Sequence, residues 1–345
     1  MNLILLLAGD HPGLAFEEVL QLISAVCKNY ELYYYCNRLC RIKVDEQALK
    51  DLVASTLSRS VLTKEISLEL AHVRVEDIIY GSSLKFDCLD AISGKSFAVR
   101  AIKLPCCKVK FTTPQIEKLV GDLLLKMLDQ RSKVSLAKPD VVVRVYVLRD
   151  SVLIGLRLAE LKRSRFRVRS PVKRPYFHPS ALSPETASIM VNLSGIVRGV
   201  LLDPFCGTGS ILIEASLRGL YCVGIDIKAE MVKGARLNVQ HYSTEGLVDI
   251  IHADSCLLPI RDSSIDAIVT DPPYGRLSST AGRDVDRIYA QLADESIRVL
   301  KKGCSCVYMH PEGTCLSSKL KLRYRYTIPV HSDLTRVLRV EVVES

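Results

Sequence analysis

The chain has 345 residues, of which 48% are hydrophobic and 25% are charged, and its formal net charge is +9. This length predicts two or three domains, and the composition excludes a disordered chain. The apolar opening at residues 3–7 is too short for a membrane span or a signal-peptide core, and no other stretch is long enough for a transmembrane helix. We therefore expect a cytoplasmic protein.

The 12 cysteines are spread through aliphatic runs without regular spacing. None stands in the paired C-x-x-C arrangement that holds zinc, so the sequence predicts no metal site. Buried, reduced thiols that act as small hydrophobic side chains are the favoured interpretation. A dithiol pair at Cys36 and Cys40 is the alternative.

The first half of the chain mixes helices with antiparallel strands, which predicts α+β units. The first unit is expected to contain strands at 2–8, 31–36, 39–44 and 65–70 and helices at 14–27 and 46–55. The second is expected to contain strands at 96–102, 140–148 and 152–158 and a helix at 114–129. Pro114 follows two threonines and suits the first turn of that helix.

Residues 162–174 carry seven basic side chains and no acidic one. Three arginines there alternate with apolar residues, and in an extended strand this period of two places all three guanidiniums on one face. Such a row matches the spacing of backbone phosphates, which favours contact with nucleic acid over a merely solvated strand face. The expected contacts are Arg165, Arg167, Arg169, Lys173, Arg174 and, beyond this stretch, Arg276.

From residue 199 onward, short aliphatic strands alternate with helices, which predicts an α/β fold with a doubly wound, mostly parallel sheet. Seven strands are expected, at 200–202, 221–225, 248–252, 265–270, 304–309, 321–328 and 335–343. No helix separates the last two, so we expect them to form an antiparallel final hairpin.

A glycine-rich turn, Asp203-Pro-Phe-Cys-Gly-Thr-Gly209, follows the first of these strands and opens a predicted helix at 210–218. Glycine allows a sharp turn and the close approach of a ligand to the backbone. A dinucleotide-binding fingerprint would need a third glycine where Leu212 stands, and a phosphate-binding P-loop would need Gly-Lys-Ser/Thr. The turn therefore predicts a different ligand.

Four acids, Asp203, Asp226, Asp254 and Asp271, each follow the end of a predicted strand. Because the carboxyl ends of parallel strands line one crevice, we expect a single ligand site there. Helix capping explains one or two such acids but not the series. S-adenosylmethionine suits this lining, since its cationic amino group favours carboxylates and its ribose diol and adenine amine can donate to Asp226 and Asp254. A triphosphate would be repelled.

Asp271-Pro-Pro-Tyr274 is the most specific motif of the chain. An exocyclic base amine is a poor nucleophile because its lone pair is delocalised, so an enzyme must hold its N–H groups. The Asp271 carboxylate and the Pro272 carbonyl can accept these hydrogen bonds, and Asp271 can take the proton. Tyr274 offers a face for stacking on a base swung out of its helix. The motif predicts methylation of a base nitrogen.

A cysteine nucleophile that attacks a pyrimidine ring is the chemical rival. Such an enzyme would place a cysteine near Pro273 or Tyr274, and neither is one. Cys206 lies in the glycine-rich turn, where a small apolar residue is sufficient explanation. Nitrogen methylation is therefore favoured.

Together these motifs resemble the archaeal type of the tRNA (guanine-10-N2)-methyltransferase family. The resemblance covers nearly the whole chain through SFAVRAIKL, PDVVVRVYVL, residues 174–187 (RPYFHPSALSPETA), DPFCGTG and DPPYGR. The last two motifs occur in several nucleic-acid amine methyltransferases, and their combination with a THUMP-like centre is narrower.

The family implies a ferredoxin-like domain at 1–67, a THUMP domain that grips tRNA at 68–158, a basic linker at 159–178 and a Rossmann-type methyltransferase domain at 179–345. It implies that Asp271, Pro272 and Tyr274 hold the guanine. The implied donor-binding residues are Asp203, Phe205, Gly207, Gly209, Asp226, Ile227, Asp254 and Thr186. Some relatives also work with a small zinc-binding activator subunit, which is a possible partner here.

Three alternatives stay open at this point. The enzyme could methylate the N2 amine of another guanosine in tRNA or ribosomal RNA, or the N6 amine of adenine. A remote alternative is a catalytically inactive RNA-binding protein. The number of methyl groups added, one or two, is also open.

Overall fold

The computed structural model describes residues 1–80, 84–128, 132–274, 284–314, 319–331 and 334–344. It divides into two compact units. The first comprises Met1–Val19, Val26–Ser58 and Leu62–Lys162, and the second comprises Leu20–Ala25, Arg59–Val61 and Arg163–Ser345. No helix in the described ranges has the length and apolar character that a membrane crossing requires.

The N-terminal part of the chain is built on one eight-stranded sheet of order β2-β3-β1-β4-β8-β7-β5-β6. Its strands are β1 (Asn2–Leu7), β2 (Glu31–Tyr35), β3 (Leu39–Lys43), β4 (Thr63–Arg74), β5 (Ser96–Lys103), β6 (Lys133–Val134), β7 (Val141–Val147) and β8 (Ser151–Glu160). The helices are α1 (Pro12–Val26), α2 (Glu46–Arg59), α3 (Val75–Tyr80) and α4 (Thr113–Met127).

Strand β4 connects the two halves of this sheet. Its first residues pair with β1, and residues from Glu65 to Arg74 pair with β8. The strand therefore runs across residues 67 and 68, where the sequence predicts a boundary between the ferredoxin-like and THUMP domains. That boundary stays a prediction.

Helix α4 begins at Thr113, one residue before the predicted start, and Pro114 lies in its first turn as expected. Thr112 is its N-cap, and the Thr112 hydroxyl accepts a hydrogen bond from the Gln115 backbone N–H while the Gln115 side chain accepts one from the Thr112 backbone. This capping box satisfies two N–H groups at the helix start. The helix then buries Ile116, Val120 and Leu124 in the core of the THUMP-like half.

The cysteine prediction is wrong at one pair. Cys36 forms a disulfide with Cys106, and their Cα atoms are 5.6 Å apart. Cys40, the partner considered from the sequence, is a buried free thiol whose pKa is raised by desolvation. The pair is 70 residues apart along the chain, so its proximity depends on the folded sheet and not on local spacing.

The second unit contains the seven-stranded sheet that the sequence predicts, of order β11-β10-β9-β12-β13-β15-β14. Its strands are β9 (Val200–Asp203), β10 (Tyr221–Asp226), β11 (Val248–His252), β12 (Ile265–Thr270), β13 (Leu300–Pro311), β14 (Lys321–His331) and β15 (Leu334–Val342). The helices are α5 (Pro184–Leu193), α6 (Ser210–Ser216), α7 (Ala229–His241) and α8 (Val285–Val299).

Strands β9 to β13 are parallel, whereas β15 pairs antiparallel with both β13 and β14, which confirms the expected final hairpin. The chain order reverses between β9 and β12. Ligands of open α/β sheets bind outside the carboxyl ends of the strands at such a switch point.

Candidate active site

The four predicted acids leave the same edge of the seven-stranded sheet. Asp203 ends β9, Asp226 ends β10, and Asp254 and Asp271 follow the ends of β11 and β12. These four strands are neighbours and run parallel. The fold therefore brings the acids to one edge of the sheet, as the sequence predicts.

Asp203 is buried at the switch point. Its carboxylate accepts hydrogen bonds from the Thr270 hydroxyl at 2.7 Å and from the Phe205 backbone N–H at 3.2 Å. Burial, together with the neighbouring charges of Asp271 and Asp226, nevertheless raises the pKa of Asp203 to about 7. A cationic ligand would relieve this repulsion, which favours a positively charged methyl donor.

Asp226 is fixed to the glycine-rich turn. Its carboxylate accepts from the backbone N–H groups of Gly207 and Lys228, each at 2.9 Å. Gly207 has a φ of +50°, which favours glycine, and a Cβ there would meet nothing within 4 Å. The turn thus leaves open space against its backbone, beside a carboxylate that can accept from a ribose diol. These features fit S-adenosylmethionine.

Two exposed apolar side chains follow the ends of the outer strands. Ile227 comes directly after Asp226, and Leu257 lies in the loop after β11, where Asp254 accepts a hydrogen bond from the Cys256 N–H at 2.9 Å. An adenine ring needs apolar contact as well as a hydrogen-bond acceptor. Ile227 was predicted to contact the donor. Leu257 was not, although its position three residues after Asp254 could have indicated it.

Asp271 lies in a cluster with Tyr274 and Arg336. The Tyr274 hydroxyl donates to the Asp271 carboxylate, and the Arg336 guanidinium forms an ion pair with the same carboxylate at 3.6 Å. The guanidinium carbon lies 5.0 Å from the centre of the Tyr274 ring. Burial raises the pKa of Asp271 to about 7, and the charge of Arg336 opposes this rise. The carboxyl group can therefore accept or release a proton near neutral pH.

Sequence reasoning missed two members of this site. Thr270, the last residue of β12, bonds Asp203 and so links the catalytic strand to the donor side. Arg336 stands on β15, 65 positions after Asp271, and no motif marks it. The position of Thr270 next to Asp271 could have indicated its role. The role of Arg336 could be recognised only once the order of the strands in the sheet was known.

Comparisons with known proteins show the family of this chain. Residues 171–336 match an RMKL-like methyltransferase domain, and residues 73–157 match a THUMP domain. The chain is 35% identical to tRNA (guanine(10)-N2)-dimethyltransferase of Methanothermobacter thermautotrophicus over 99% of each chain. It is 31% identical to the protein of that name from Methanocaldococcus jannaschii over 97% of each. The chain belongs to the tRNA (guanine(10)-N2)-dimethyltransferase family.

More distant relatives include a protein that is named for another tRNA position. A tRNA (guanine(6)-N2)-methyltransferase of Methanocaldococcus jannaschii is 25% identical over 71% of this chain and 74% of its own. Among solved structures, TrmN from Thermus thermophilus is 21% identical with a TM-score of 0.57, covering 99% of this chain and 100% of its own. SMU.472, a putative methyltransferase complexed with SAH, is 15% identical with a TM-score of 0.51 and covers 100% and 98%.

Membership of the dimethyltransferase family confirms the predicted fold class, with THUMP and Rossmann-type methyltransferase domains. It also confirms that the protein is a methyltransferase and that S-adenosylmethionine is its methyl donor. The roles of individual site residues stay predictions, supported by the geometry above.

The segment before α5 is tied to the start of α6, directly after the glycine-rich turn. Arg174 donates to the Ser210 hydroxyl at 2.6 Å, and Ser210 donates to the Leu182 carbonyl at 3.0 Å. Thr186 lies in the first turn of α5, where its N–H donates to the Ser183 hydroxyl at 3.1 Å. The expected contact of Thr186 with the donor stays a prediction.

The expected arginine strand is wrong. Residues Arg163–Arg169 form a 3₁₀ helix. In a strand Phe166 and Val168 would share one face, but Phe166 is 3% exposed and Val168 is 64% exposed. The burial of Phe166 and a bidentate ion pair between Arg169 and the buried Glu214, at 2.7 and 2.9 Å, stabilise the turn instead.

The predicted RNA contacts therefore differ in their surroundings. Arg167 and Lys173 are exposed and stay predicted RNA contacts. Arg174 is buried, its pKa is lowered by desolvation, and it cannot reach a phosphate from this position. Arg165 donates to the Ser60 carbonyl. Arg276 lies outside the described residues.

Proposed function

We propose that the enzyme transfers methyl groups from S-adenosylmethionine to the N2 amine of guanosine 10 in tRNA. The observation that carries the proposal is the Asp271–Tyr274 pair at the sheet edge that holds the acids, in a chain whose nearly full-length relatives bear that name. The relative that is named for position 6 matches with lower identity and coverage, which favours position 10.

The donor side is built from the acids and the glycine-rich turn. Asp203 would supply negative charge for the cationic amino group, Asp226 could accept from the ribose, and Asp254 with Ile227 could hold the adenine. When bound there, the donor supplies an electrophilic methyl group. These residues fix its position without entering the chemistry.

The acceptor side must hold an amine that is a weak nucleophile. An ionised Asp271 can accept one N–H of the guanine amine, and the carbonyl of the adjacent Pro272 can accept the other. As the nitrogen loses electron density its proton becomes acidic, and a carboxylate with a pKa of about 7 can take that proton. Asp271 therefore orients the amine and removes its proton.

We expect Tyr274 to change position when the base enters. In the structure its hydroxyl bonds to Asp271, which occupies one carboxylate oxygen. We expect the incoming guanine amine to take that oxygen and the tyrosine hydroxyl to leave. The freed ring can then stack on the base.

The proposal includes two successive transfers, since the names of the first relatives describe dimethyltransferases. After one transfer the amine keeps one hydrogen. Asp271 can accept this second proton once it has released the first to solvent and a fresh donor has replaced the spent one. We place this activity on tRNA in the cytoplasm. A small zinc-binding activator subunit is a proposed partner on the family resemblance alone, and full turnover by the purified chain would remove it.

The test is to incubate the purified chain with an unmodified tRNA transcript and isotope-labelled donor, and to map the product by nucleoside and fragment mass spectrometry. We expect dimethylguanosine at position 10 and no label when that guanosine is replaced by adenosine. Label at another guanosine, or in methyladenosine, would contradict the proposal. Absence of donor binding would indicate an inactive RNA-binding protein.

A further inference from the structure

We propose that Arg336 is the positioning residue of the acceptor side, holding Tyr274 by its ring and Asp271 by its carboxylate. The inference concerns how this methyltransferase works, and its assay rests on the proposed tRNA substrate. Arg336 belongs to no motif that the sequence displays. Its role follows from where the final strands of the sheet place it.

The sheet brings Arg336 to the active site from two strands away. β13 pairs parallel with β12, so Thr270 stands opposite Tyr308. β15 pairs antiparallel with β13, and Arg336 stands opposite Pro311, at the same end of the sheet. A long side chain at that position reaches across the end of β13 to Asp271. An antiparallel last strand is what points this residue at the crevice.

The contacts of Arg336 are concentrated on the catalytic motif. The guanidinium lies 3.6 Å from the Asp271 carboxylate and 5.0 Å from the centre of the Tyr274 ring. Stacking of a guanidinium on an aromatic face is attractive and fixes the plane of the ring. The tyrosine is thereby held between the arginine on its face and the aspartate at its hydroxyl.

Arg336 is also poorly satisfied by the rest of the protein. Its side chain is 22% exposed, and its Nε is buried without a hydrogen-bond partner among the described residues. A mostly buried charge with an unpaired donor is costly and is rarely retained for stability alone. Its placement is therefore better explained by the ion pair with Asp271 than by packing.

Charged and titratable groups around Asp271 come from four elements. Arg336 on β15 is the cation that lowers the Asp271 pKa, and Asp203 on β9 is a repelling acid. Burial raises the pKa of Tyr289 on α8, so this phenol stays protonated, and the Tyr274 hydroxyl donates to the carboxylate. His310 at the end of β13 is buried with a lowered pKa and is neutral near pH 7. Removing Arg336 must therefore raise the Asp271 pKa.

The sign of the effect on rate follows. Methyl transfer needs Asp271 as a carboxylate, so the rate falls as the pH drops through the Asp271 pKa, which is about 7. Without Arg336 that pKa is higher, and the fall begins at a higher pH. The loss of activity should be large at low pH and small at high pH.

The experiment compares Arg336→Met and Arg336→Lys with the full-length wild type in single-turnover methylation of tRNA between about pH 6 and pH 9. Arg325→Met is the matched control, since Arg325 is exposed on the neighbouring strand β14. We expect Arg336→Met to shift the pH at which the rate falls upward by about one unit. At pH values below this fall, the rate of the variant should be about tenfold lower than that of the wild type. Arg336→Lys keeps the charge and should recover more than half of the shift.

Binding of S-adenosylhomocysteine, measured by calorimetry, tests folding, and we expect it to change by less than about twofold. A rate that falls equally at every pH, or a profile like wild type, would overturn the inference. A wild type that fails on tRNA would contradict the proposed function instead. In that case the pKa of Asp271 can still be measured by ¹³C NMR titration of its carboxyl group, with the signal assigned by its loss in Asp271→Asn. The inference requires that Arg336→Met raises this pKa.

Discussion

The two sides of the active site are held by different kinds of interaction. On the donor side, Asp226 is fixed by backbone N–H groups from the turn that precedes it and from the residue after next. On the acceptor side, Asp271 is held by side chains, one of them from β15. Backbone contacts give the donor a rigid seat, and side-chain contacts leave the acceptor side able to rearrange when a base enters.

This difference explains why the donor side was easier to predict. A glycine-rich turn and acids at strand ends are written in short, contiguous motifs, and the parallel sheet necessarily brings them together. The acceptor side depends on a residue that only the antiparallel return of β15 makes a neighbour. A contact of this kind has no local signal.

The largest expected effect is on the acceptor side. Asp271→Ala removes the acceptor for the guanine amine and its proton, so we expect methyl transfer to fall by at least about 100-fold. Binding of S-adenosylhomocysteine and tRNA should stay within a few fold. Asp294→Ala, at an exposed acid on α8, is the control and should leave the rate unchanged. Full turnover by Asp271→Ala would remove this residue from the mechanism.

A smaller effect is expected on the donor side, and it concerns donor affinity instead of the rate of methyl transfer. Asp226→Ala leaves two backbone N–H groups without their acceptor and removes the ribose partner. We expect donor affinity to fall by about 10- to 100-fold, as for hydrogen bonds to a charged group. The rate at saturating donor should change less. Calorimetry checks this against Asp249→Ala on the edge strand β11, and unchanged affinity would place the donor elsewhere.

Thr270 joins the two sides and gives a pH-dependent test. Thr270→Val removes a hydrogen bond to the buried Asp203, which should cost about 1 kcal/mol of unfolding free energy. The fold raises the pKa of Asp203 to about 7, so ionisation of this carboxyl destabilises the folded state. The free energy of unfolding therefore decreases as the pH rises from the pKa of Asp203 in the unfolded chain through its pKa in the fold. The variant raises this pKa further.

The stability deficit of Thr270→Val should therefore be larger at about pH 8 than at about pH 5 in urea unfolding. Thr270→Ser keeps the hydroxyl and should retain the wild-type pH dependence. A deficit that is equal at both pH values would show that the hydroxyl acts only by packing.

The smallest effect concerns tRNA binding outside the crevice. Arg167→Ala with Lys173→Ala should weaken tRNA binding and reduce the slope of log affinity against log salt by about one per lost phosphate contact. The charge-preserving pair Arg167→Lys with Lys173→Arg should keep the slope. An unchanged slope in the alanine pair would show that these side chains are merely solvated.

Most elements of the fold could be predicted because their patterns are local. The strands at 248–252 and 265–270 were predicted with the bounds that the structure gives them, since apolar runs between helices identify parallel strands. The first turn of α4 was recognisable from Pro114 after two threonines. Apolar periodicity and helix caps are properties of the sequence itself.

The failures have the opposite origin. The alternation of basic and apolar residues between Arg165 and Arg169 is typical of a strand. In the structure Arg169 instead forms an ion pair with the buried Glu214, and the segment is a 3₁₀ helix. The disulfide of Cys36 with Cys106 and the contact of Arg336 with Asp271 likewise join residues far apart in the chain. Tertiary partners override or create these features, and no window of sequence contains them.

The central claim is that the carboxylate edge of the sheet presents a donor to an amine held by Asp271. A crystal structure of the enzyme with S-adenosylhomocysteine and tRNA tests it most directly. The account predicts the N2 atom of guanosine 10 within hydrogen-bond distance of Asp271, with the base against Tyr274. A guanine whose amine lies away from Asp271 and from the bound cofactor's sulfur would contradict it.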